Sequence, residues 1–430
     1  MLFANAQIVN IPDANFKYRL VNHIPVIDTN GDGEIQVSEA VNFTDSIDVG
    51  DGNISDLIGI EAFTQITGLY CWINQLTSID VSNNTALKVL RCGENQLINI
   101  DISNNTDLIE LGCGDNLSSL DISNNTALES LWCGGNQLTT LDVSNNPSLK
   151  YLHCSYNPLG NINVSNNTAL IQLYCDSNLL TTLDISNNIN LTNLSCNKNQ
   201  LSVLNVNNNT NLEYLACISN QLTNIDFSNN DSLETLVCSY NPLTTLDLSY
   251  NNKLRVIACL YTQLPLINLS NNPNLYEVHL YYNPLLSSLS IKNGTNTTNL
   301  GLFIANHNPN LTCIEVDDST WSTANWTDID PQSYFSEICM VSTPNQLKTQ
   351  ELKIAPNPFK EKLSVLLPDN TNADNIEIVL YNVLGKQIKV STEKANNEII
   401  INGANLHSGI YFVELREQNR LIGNAKLIKQ

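Results

Sequence analysis

Apolar residues return in a fixed frame along most of this chain. Leu87-x-x-Leu90-x-Cys92-x-x-Asn95-x-Leu97, followed by Ile100-Asp101-Ile102-Ser103-Asn104-Asn105, is one copy of a frame that recurs about every 21 residues. Within it, Leu-x-Cys and Ile-Asp-Ile alternate apolar and polar positions with period two, the mark of short extended segments with one buried face. Too few residues separate the two segments for an α-helix. A unit this small cannot bury its apolar face alone and has to stack on copies of itself. The pattern therefore predicts a mainly β chain wound as a right-handed solenoid. A parallel sheet is expected on the concave face, with short strands or 3₁₀ turns on the convex face.

The first strand is expected at Ile47-Asp48-Val49. Regular coils then centre on Leu69, Leu90, Leu111, Leu131, Leu152, Leu173, Leu194, Leu215, Leu236, Ile257 and Val278, with a longer coil on Phe303. About thirteen coils at strand spacing give an array on the order of 60 Å long. Cys71, Cys92, Cys113, Cys133, Cys154, Cys175, Cys196, Cys217, Cys238 and Cys259 fill one inward slot, which Leu280 and Ala305 take over near the end. Stacked rungs point their Cβ atoms the same way, which suits side-by-side buried thiols better than disulfides. Cys313 and Cys339 fall outside this ladder and are the expected disulfide.

Two polar columns accompany the ladder. Asn74, Asn95, Asn116, Asn136, Asn157, Asn178, Asn199, Asn220, Asn241 and Asn283, interrupted at Thr262, are placed to bond backbone groups buried at a turn. Asp80, Asp101, Asp121, Asp142, Asp184, Asp226 and Asp247 form the second column, with Asn163, Asn205 and Asn268 in its gaps. Each aspartate is expected to accept turn N–H bonds; calcium held between carboxylates is the alternative. The frame is that of a leucine-rich repeat with cysteine in a leucine slot. It resembles internalin-type bacterial leucine-rich-repeat proteins, and more closely large surface proteins of Bacteroidetes. The solenoid is assigned to 46–311, and 312–341, with Trp321 and Trp326, resembles the closing cap of such arrays.

Ahead of the array, 8–45 carries a second motif. Asp28-x-Asn30-x-Asp32-Gly33-Glu34-Ile35-Gln36-x-x-Glu39 meets the 12-residue EF-hand calcium pattern, between two helical patterns. Side-chain oxygens would come from Asp28, Asn30 and Asp32, a carbonyl from Glu34, the ninth position from Gln36 and a bidentate carboxylate from Glu39. The expected cofactor is therefore a structural Ca²⁺ in an EF-hand-like cap over the first sheet edge. A metal-free helical cap is the other reading. Residues 1–7 end in a small-x-small triplet and read as the remnant of a secretion signal.

The net charge of −22 is uneven: 348–430 carry 11 Lys/Arg against 9 Asp/Glu, and the rest of the chain 9 against 33. That shift, with Ser342-Thr343-Pro344-Asn345-Gln346, marks a linker over 342–352. Residues 353–430 lose the repeat and read as about seven short strands of a β-sandwich. The Pro356-Asn357-Pro358 start, the Leu384-Gly385-Lys386 turn, the Ser408-Gly409-Ile410-Tyr411-Phe412-Val413 strand and the Leu427-Ile428-Lys429 end resemble the type A sorting domain of the type IX secretion system. The resemblance implies engagement of that machinery, export, and an extracellular or outer-membrane-surface location.

The acidic body disfavours nucleic acid, and no apolar run is long enough for a membrane-spanning helix. The five histidines form no metal-ligand spacing, and there is no nucleophile elbow or phosphate loop, so nothing argues for an enzyme. Ten of the 15 tyrosines lie in the variable positions beside the Leu-x-x-Leu-x-Cys strands. Two ligand-binding clusters are expected there: Trp132, Tyr151, His153, Tyr156 and Tyr174 in the middle, and Tyr240, Tyr261, Tyr276, His279, Tyr281 and Tyr282 near the end. Tyrosine at this density suits a contact surface. The reading is a secreted or surface adhesion protein that recognises a protein or glycan on another cell or in the matrix. A structural spacer or surface-coat component without a specific ligand is the alternative.

Overall fold

In each coil the residues around the second leucine of the frame are straight enough to pair with a neighbour. Thirteen such three-residue strands, from Ser46–Asp48 to Leu302–Ile304, join in one parallel sheet. Leu69, Leu90 and Leu111 lie side by side in register, so one leucine column runs inside while its flanking residues face out. The computed structural model describes residues 7–114, 116–339, 350–367, 376–382, 387–395, 398–417 and 420–430. The first strand begins one residue before the expected Ile47. On the opposite side, strands occur only toward the end of the array. Leu266–Asn268, Ser288–Ser290, Cys313–Glu315 and Tyr334–Ser336 form a four-stranded parallel sheet, and the earlier coils pass that side as turns.

One hydrophobic core runs from Val9 to Phe335. All ten ladder cysteines are buried thiols. Burial pushes Cys133, Cys154, Cys175, Cys196 and Cys217 toward the neutral form, Cys154 up to about 12, which suits packing as small hydrophobes.

The coils are tied front and back by asparagine. In the anticipated column, Asn157 Nδ2 donates to the carbonyls of Cys154 in its own coil and Cys133 in the one before. Its Oδ1 accepts from the Leu138 N–H, so one side chain satisfies three buried backbone groups in two coils. Thr262, where the column breaks, keeps the forward link through its N–H and hydroxyl to Asn283 Oδ1, and its Oγ1 accepts from the Leu264 N–H. The column runs on to Asn308, beyond which the Asp330 carboxylate accepts the N–H groups of His307 and Asn308.

A second column, at the other asparagine of the repeated turn, was not anticipated. Asn84, Asn105, Asn125, Asn146, Asn167, Asn188, Asn209, Asn230, Asn251 and Asn272 are fully buried. Asn188 Nδ2 donates to the carbonyls of Val164 and Asn167 in the preceding coil, at 3.1 and 2.8 Å, and its neighbours repeat the pattern. Among the described residues the Oδ1 atoms of this column meet no hydrogen-bond partner. A turned amide would set oxygen against two carbonyl oxygens, so the donors fix the orientation, and an idle acceptor is the less costly omission.

At the front, α1 (Ala14–Val21) and α2 (Val37–Asn42) close the array. Phe16, Leu20, Ile27, Ile35 and Ala40 are fully buried in the same core as Ile47 and Val49. Asp13 caps α1 and also accepts from the N–H and hydroxyl of Ser55 in the first coil. The open sheet edge meets His23, whose Nδ1 faces the Pro25 carbonyl while Nε2 accepts from the Asp48 N–H. The far end is closed by the Ser319–Asn325 helix, the packed rings of Phe303, Trp326 and Phe335, and a disulfide between Cys313 and Cys339.

Contact density separates 1–339 from 340–430. The second unit has a five-stranded and a four-stranded sheet around its own core, with Phe359, Leu363, Val365, Leu380, Ile399, Val413 and Leu427 among the buried residues. Most of 342–352 and of 1–7 lie outside the described residues. The part of the expected linker that is described belongs to the sandwich: Gln350–Glu351 pairs with Gly423 and Asn424, and Leu352 is in its core.

The aspartate column works as expected at the turns. Asp80, Asp101, Asp121, Asp142, Asp184, Asp226 and Asp247 each accept the N–H two residues on, and Asn163, Asn205 and Asn268 do the same. Hydrogen bonds from the following serine hold all seven carboxyls below their ordinary value. A carboxyl so held is less protonated folded than unfolded, so its contribution is present above the unfolded value and is lost as pH falls through the folded one. Thermal melts should therefore show Tm falling below about pH 4. Converting Asp101, Asp121 and Asp142 together to Asn should shrink that fall, and an unchanged acid limb would contradict the assignment. The buried asparagines give a second test. Asn188→Ala strands the carbonyls of Val164 and Asn167 and should cost about 1–3 kcal/mol in denaturant unfolding. Asn187→Ala, removing one exposed bond, is the matched control; equal losses would refute the second spine.

Candidate functional site

Three outward columns cross the exposed face of the main sheet, and strand register fixes their membership. In the first, Trp132, His153 and Tyr174 pair directly across neighbouring strands. Trp132 and His153 stack at 3.8 Å between ring centroids and His153 and Tyr174 at 4.3 Å. The Trp132 Nε1–H donates to Ser130 Oγ, which pins the indole, and burial pushes the His153 imidazole toward its neutral form. Tyr151 lies in the adjoining column between Ser130 and Gln172, outside this stack.

Tyr156, Tyr240, Tyr261 and Tyr282 are not on strands. They occupy the turn after the strand, in the left-handed region, with φ of 58, 57, 52 and 59° respectively. Tyr240, Tyr261, Tyr282 and His307 form a continuous stack with centroid spacings of 4.5, 4.7 and 4.2 Å. Tyr281 meets Tyr282 edge-on. Tyr156 stands apart, 64% exposed. Tyr276 lies against Gly301 away from the stack, and His279 faces Glu277 Oε2 at 3.3 Å. The later cluster therefore loses Tyr276 and His279 as ring partners and gains His307. Recurrence at the frame position of Tyr240, Tyr261 and Tyr282 was the available signal for His307.

Between the clusters the surface is polar. Asp176 accepts from the Ser195 hydroxyl at 2.6 Å and the Asn197 N–H at 2.7 Å, and the Asn197 amide bonds Ser195 Oγ. On the other side of Trp132 lies a trough of about 940 Å³, floored by Gly93, Gly112, Gly114 and Gly134 and bounded by Trp72 and Trp132. Its signal in the sequence is the run of Gly93, Gly114 and Gly134, two residues beyond the strand in three consecutive coils, with Gly112 inside the middle strand. The guanidinium of Arg91 there bonds Glu110 through Nε and lies over the Tyr70 ring at 5.7 Å.

The calcium-pattern loop lies between α1 and α2. Asn30, Asp32 and Gln36 meet through their side chains at 2.9–3.1 Å. Asp28 accepts the Gly31 and Gly33 N–H groups, and both glycines have positive φ, as a tight oxygen-lined turn needs. Glu39 faces another way: Oε1 accepts from Thr29 and the Asn30 N–H, and Oε2 accepts from the Gln36 N–H. Lys17 pairs with the Glu34 carboxylate. Among the described residues, no three His, Cys, Asp or Glu side chains are grouped as metal ligands.

Residues 353–430 match the secretion system C-terminal sorting domain. The tail is a type IX sorting domain. A domain of this kind directs export to the cell surface or outer membrane, and among the described residues no helix is long and apolar enough to cross a membrane. The fold of the exported chain is similar to the functional domain of InlJ from Listeria monocytogenes, described as including a cysteine ladder. Identity is 25% and the TM-score 0.60, over 99% of this chain and 98% of that one. An internalin, InlF, from Listeria monocytogenes strain 4b F2365 is similar at 22% identity and a TM-score of 0.59, over 74% of this chain and 98% of its own. No protein of curated function matches the chain by sequence.

Proposed function

We propose that the exported solenoid is a binding protein, not an enzyme, that recognises a partner on another cell or in the matrix through the aromatic exposed face of its main sheet. The supporting observation is the placement of rings that water would otherwise cover. Trp132, Tyr156, Tyr240, Tyr261 and Tyr282 are all more than a third exposed, yet most are immobilised by stacking. Rigid, amphipathic rings lose little conformational entropy on contact, which is why such residues dominate recognition surfaces. The same rings on a spacer would have only each other to cover. The triple replacement of Tyr261, Tyr281 and Tyr282 by Ala decides between these. Adhesion of the labelled full chain to intact cells or matrix should fall at least tenfold with Tm within a few degrees of the parent. Unaltered adhesion with a large drop in Tm would make the rings packing residues and favour the spacer.

We also propose that loop 28–39 takes a structural Ca²⁺, which would supply a charge to hold its oxygens together. The donor set suits a hard cation: Asp28, Asn30, Asp32, the Glu34 carbonyl and Gln36, with the Glu39 carboxylate exchanging its Thr29 contacts for the ion. Because the cap shares the core of the first coils, binding would stabilise the front of the array. Chelation should lower Tm by a few degrees in the parent and leave Glu39→Gln unmoved; a parent melt indifferent to EDTA and to added calcium would end the proposal.

A further inference from the structure

The first outward column has a missing rung. Tyr70, Arg91, Gly112, Trp132, His153 and Tyr174 occupy equivalent positions on six successive strands. Adjacent strands lie about 4.8 Å apart, so Arg91 and Trp132 stand about 9.6 Å apart with only the hydrogens of Gly112 between them. Elsewhere in the column that spacing is filled by rings stacked at 3.8 and 4.3 Å. The interval at Gly112 is therefore one ring thick, with the indole of Trp132 as one wall and the Arg91 side chain as the other.

Packing does not require this glycine. Gly112 is absent from the positive-φ positions, and a Cβ there would meet nothing closer than Arg91 Cγ at 3.5 Å, an ordinary contact. The neighbouring floor is different, because a Cβ on Gly114 would come within 2.6 Å of the Gly134 carbonyl oxygen. Glycine inside a strand weakens it, and its usual justification is the close approach of another molecule.

We propose that this slot binds a sugar ring of a neutral oligosaccharide chain. The apolar face of the ring lies on the free face of Trp132, whose other face is taken by His153. Arg91 and Glu110, joined at the slot's edge, offer donors and acceptors together, as hydroxyl groups need and a purely aromatic guest would leave unused. Glu94 and Glu110 outnumber Arg91 in the trough, and the chain carries −22 overall, so acidic sugars are disfavoured. The trough extends from Trp132 to Trp72, three strands away, giving room for a chain of about 14 Å. This inference rests on the reading of the sheet face as a recognition surface.

The test uses the full chain on an array of neutral gluco-, galacto-, manno- and N-acetylglucosamine-type oligosaccharides, with affinities of the retained probes measured by calorimetry. Gly112→Tyr fills the slot and should weaken binding by about tenfold or more while leaving Tm unchanged or raised. Trp132→Ala should weaken it similarly, and the Tyr261/Tyr281/Tyr282→Ala variant should still bind the sugar. Absence of any retained neutral oligosaccharide, or retention undiminished by Gly112→Tyr, overturns the slot proposal. If the triple tyrosine variant loses adhesion to cells while Gly112→Tyr does not, the sheet face stands as a recognition surface and the slot alone fails. Selection of aromatic peptides in a Gly112-dependent manner, with no sugar bound, overturns the ligand class.

Discussion

The solenoid depends on satisfying the buried backbone of each turn across a single strand spacing. Each coil passes two turns whose carbonyl and amide groups face inward, where water is excluded. Asparagine has the length and the two donors to reach a carbonyl in its own coil and one in the coil before, as Asn157 does at Cys154 and Cys133. Aspartate would carry charge into the core, and a hydroxyl has a single donor where the amide has two, so Thr262 donates only to Asn283 Oδ1. Two such spines, front and back, make every coil complete only when its neighbour is present. The ends are then the expensive places. That is why His23 occupies the first strand edge and the Asp330 carboxylate stands where another asparagine would be.

The same spacing governs the outer face. Aromatic residues placed at equivalent positions of consecutive coils are brought to ring-stacking distance by the sheet, and the observed centroids at 3.8–4.7 Å follow. Their backbone is less favourable. A bulky side chain at φ near +57° is costly, whereas Gly135 fills the equivalent turn at no such cost. Stacking of about 0.5–1.5 kcal/mol per pair offsets the strain in the Tyr240–His307 run. Tyr156, at the same kind of turn, has no ring contact among the described residues and is the most exposed of these four tyrosines, so stacking on them does not offset its strain.

The repeat, the thiol ladder, the front asparagines, the aspartate turns and the sandwich tail were legible because each repeats a residue type at a fixed step or stands in a recognisable order. What escaped shares a different property. The second asparagine spine lies inside a polar Ser-Asn-Asn turn, and only the winding of the chain brings Asn188 over Val164 and Asn167. Periodicity reports which residues share a column and says nothing of backbone hand, so the left-handed turn at Tyr261 is not legible in it. A gap is harder still to read, since Gly112 looks like variation until its neighbours in space are known. In the calcium-pattern loop, ligand types could be read from spacing, but the direction of the Glu39 carboxylate depends on Thr29 competing for it.

The division of the chain follows from the same accounting of buried surface. The solenoid core ends at Phe335, and the sandwich core begins at Leu352, with no residue in both. Each unit therefore has a core of its own, and the end of the array is closed by its own helix, rings and disulfide. The acidic charge is concentrated on the solenoid, while the tail is nearly balanced, so long-range electrostatics act on whatever approaches the sheet face and scarcely on the sorting event. The two units thus rest on separate cores, and the residues exposed along the main sheet are set by the coils alone.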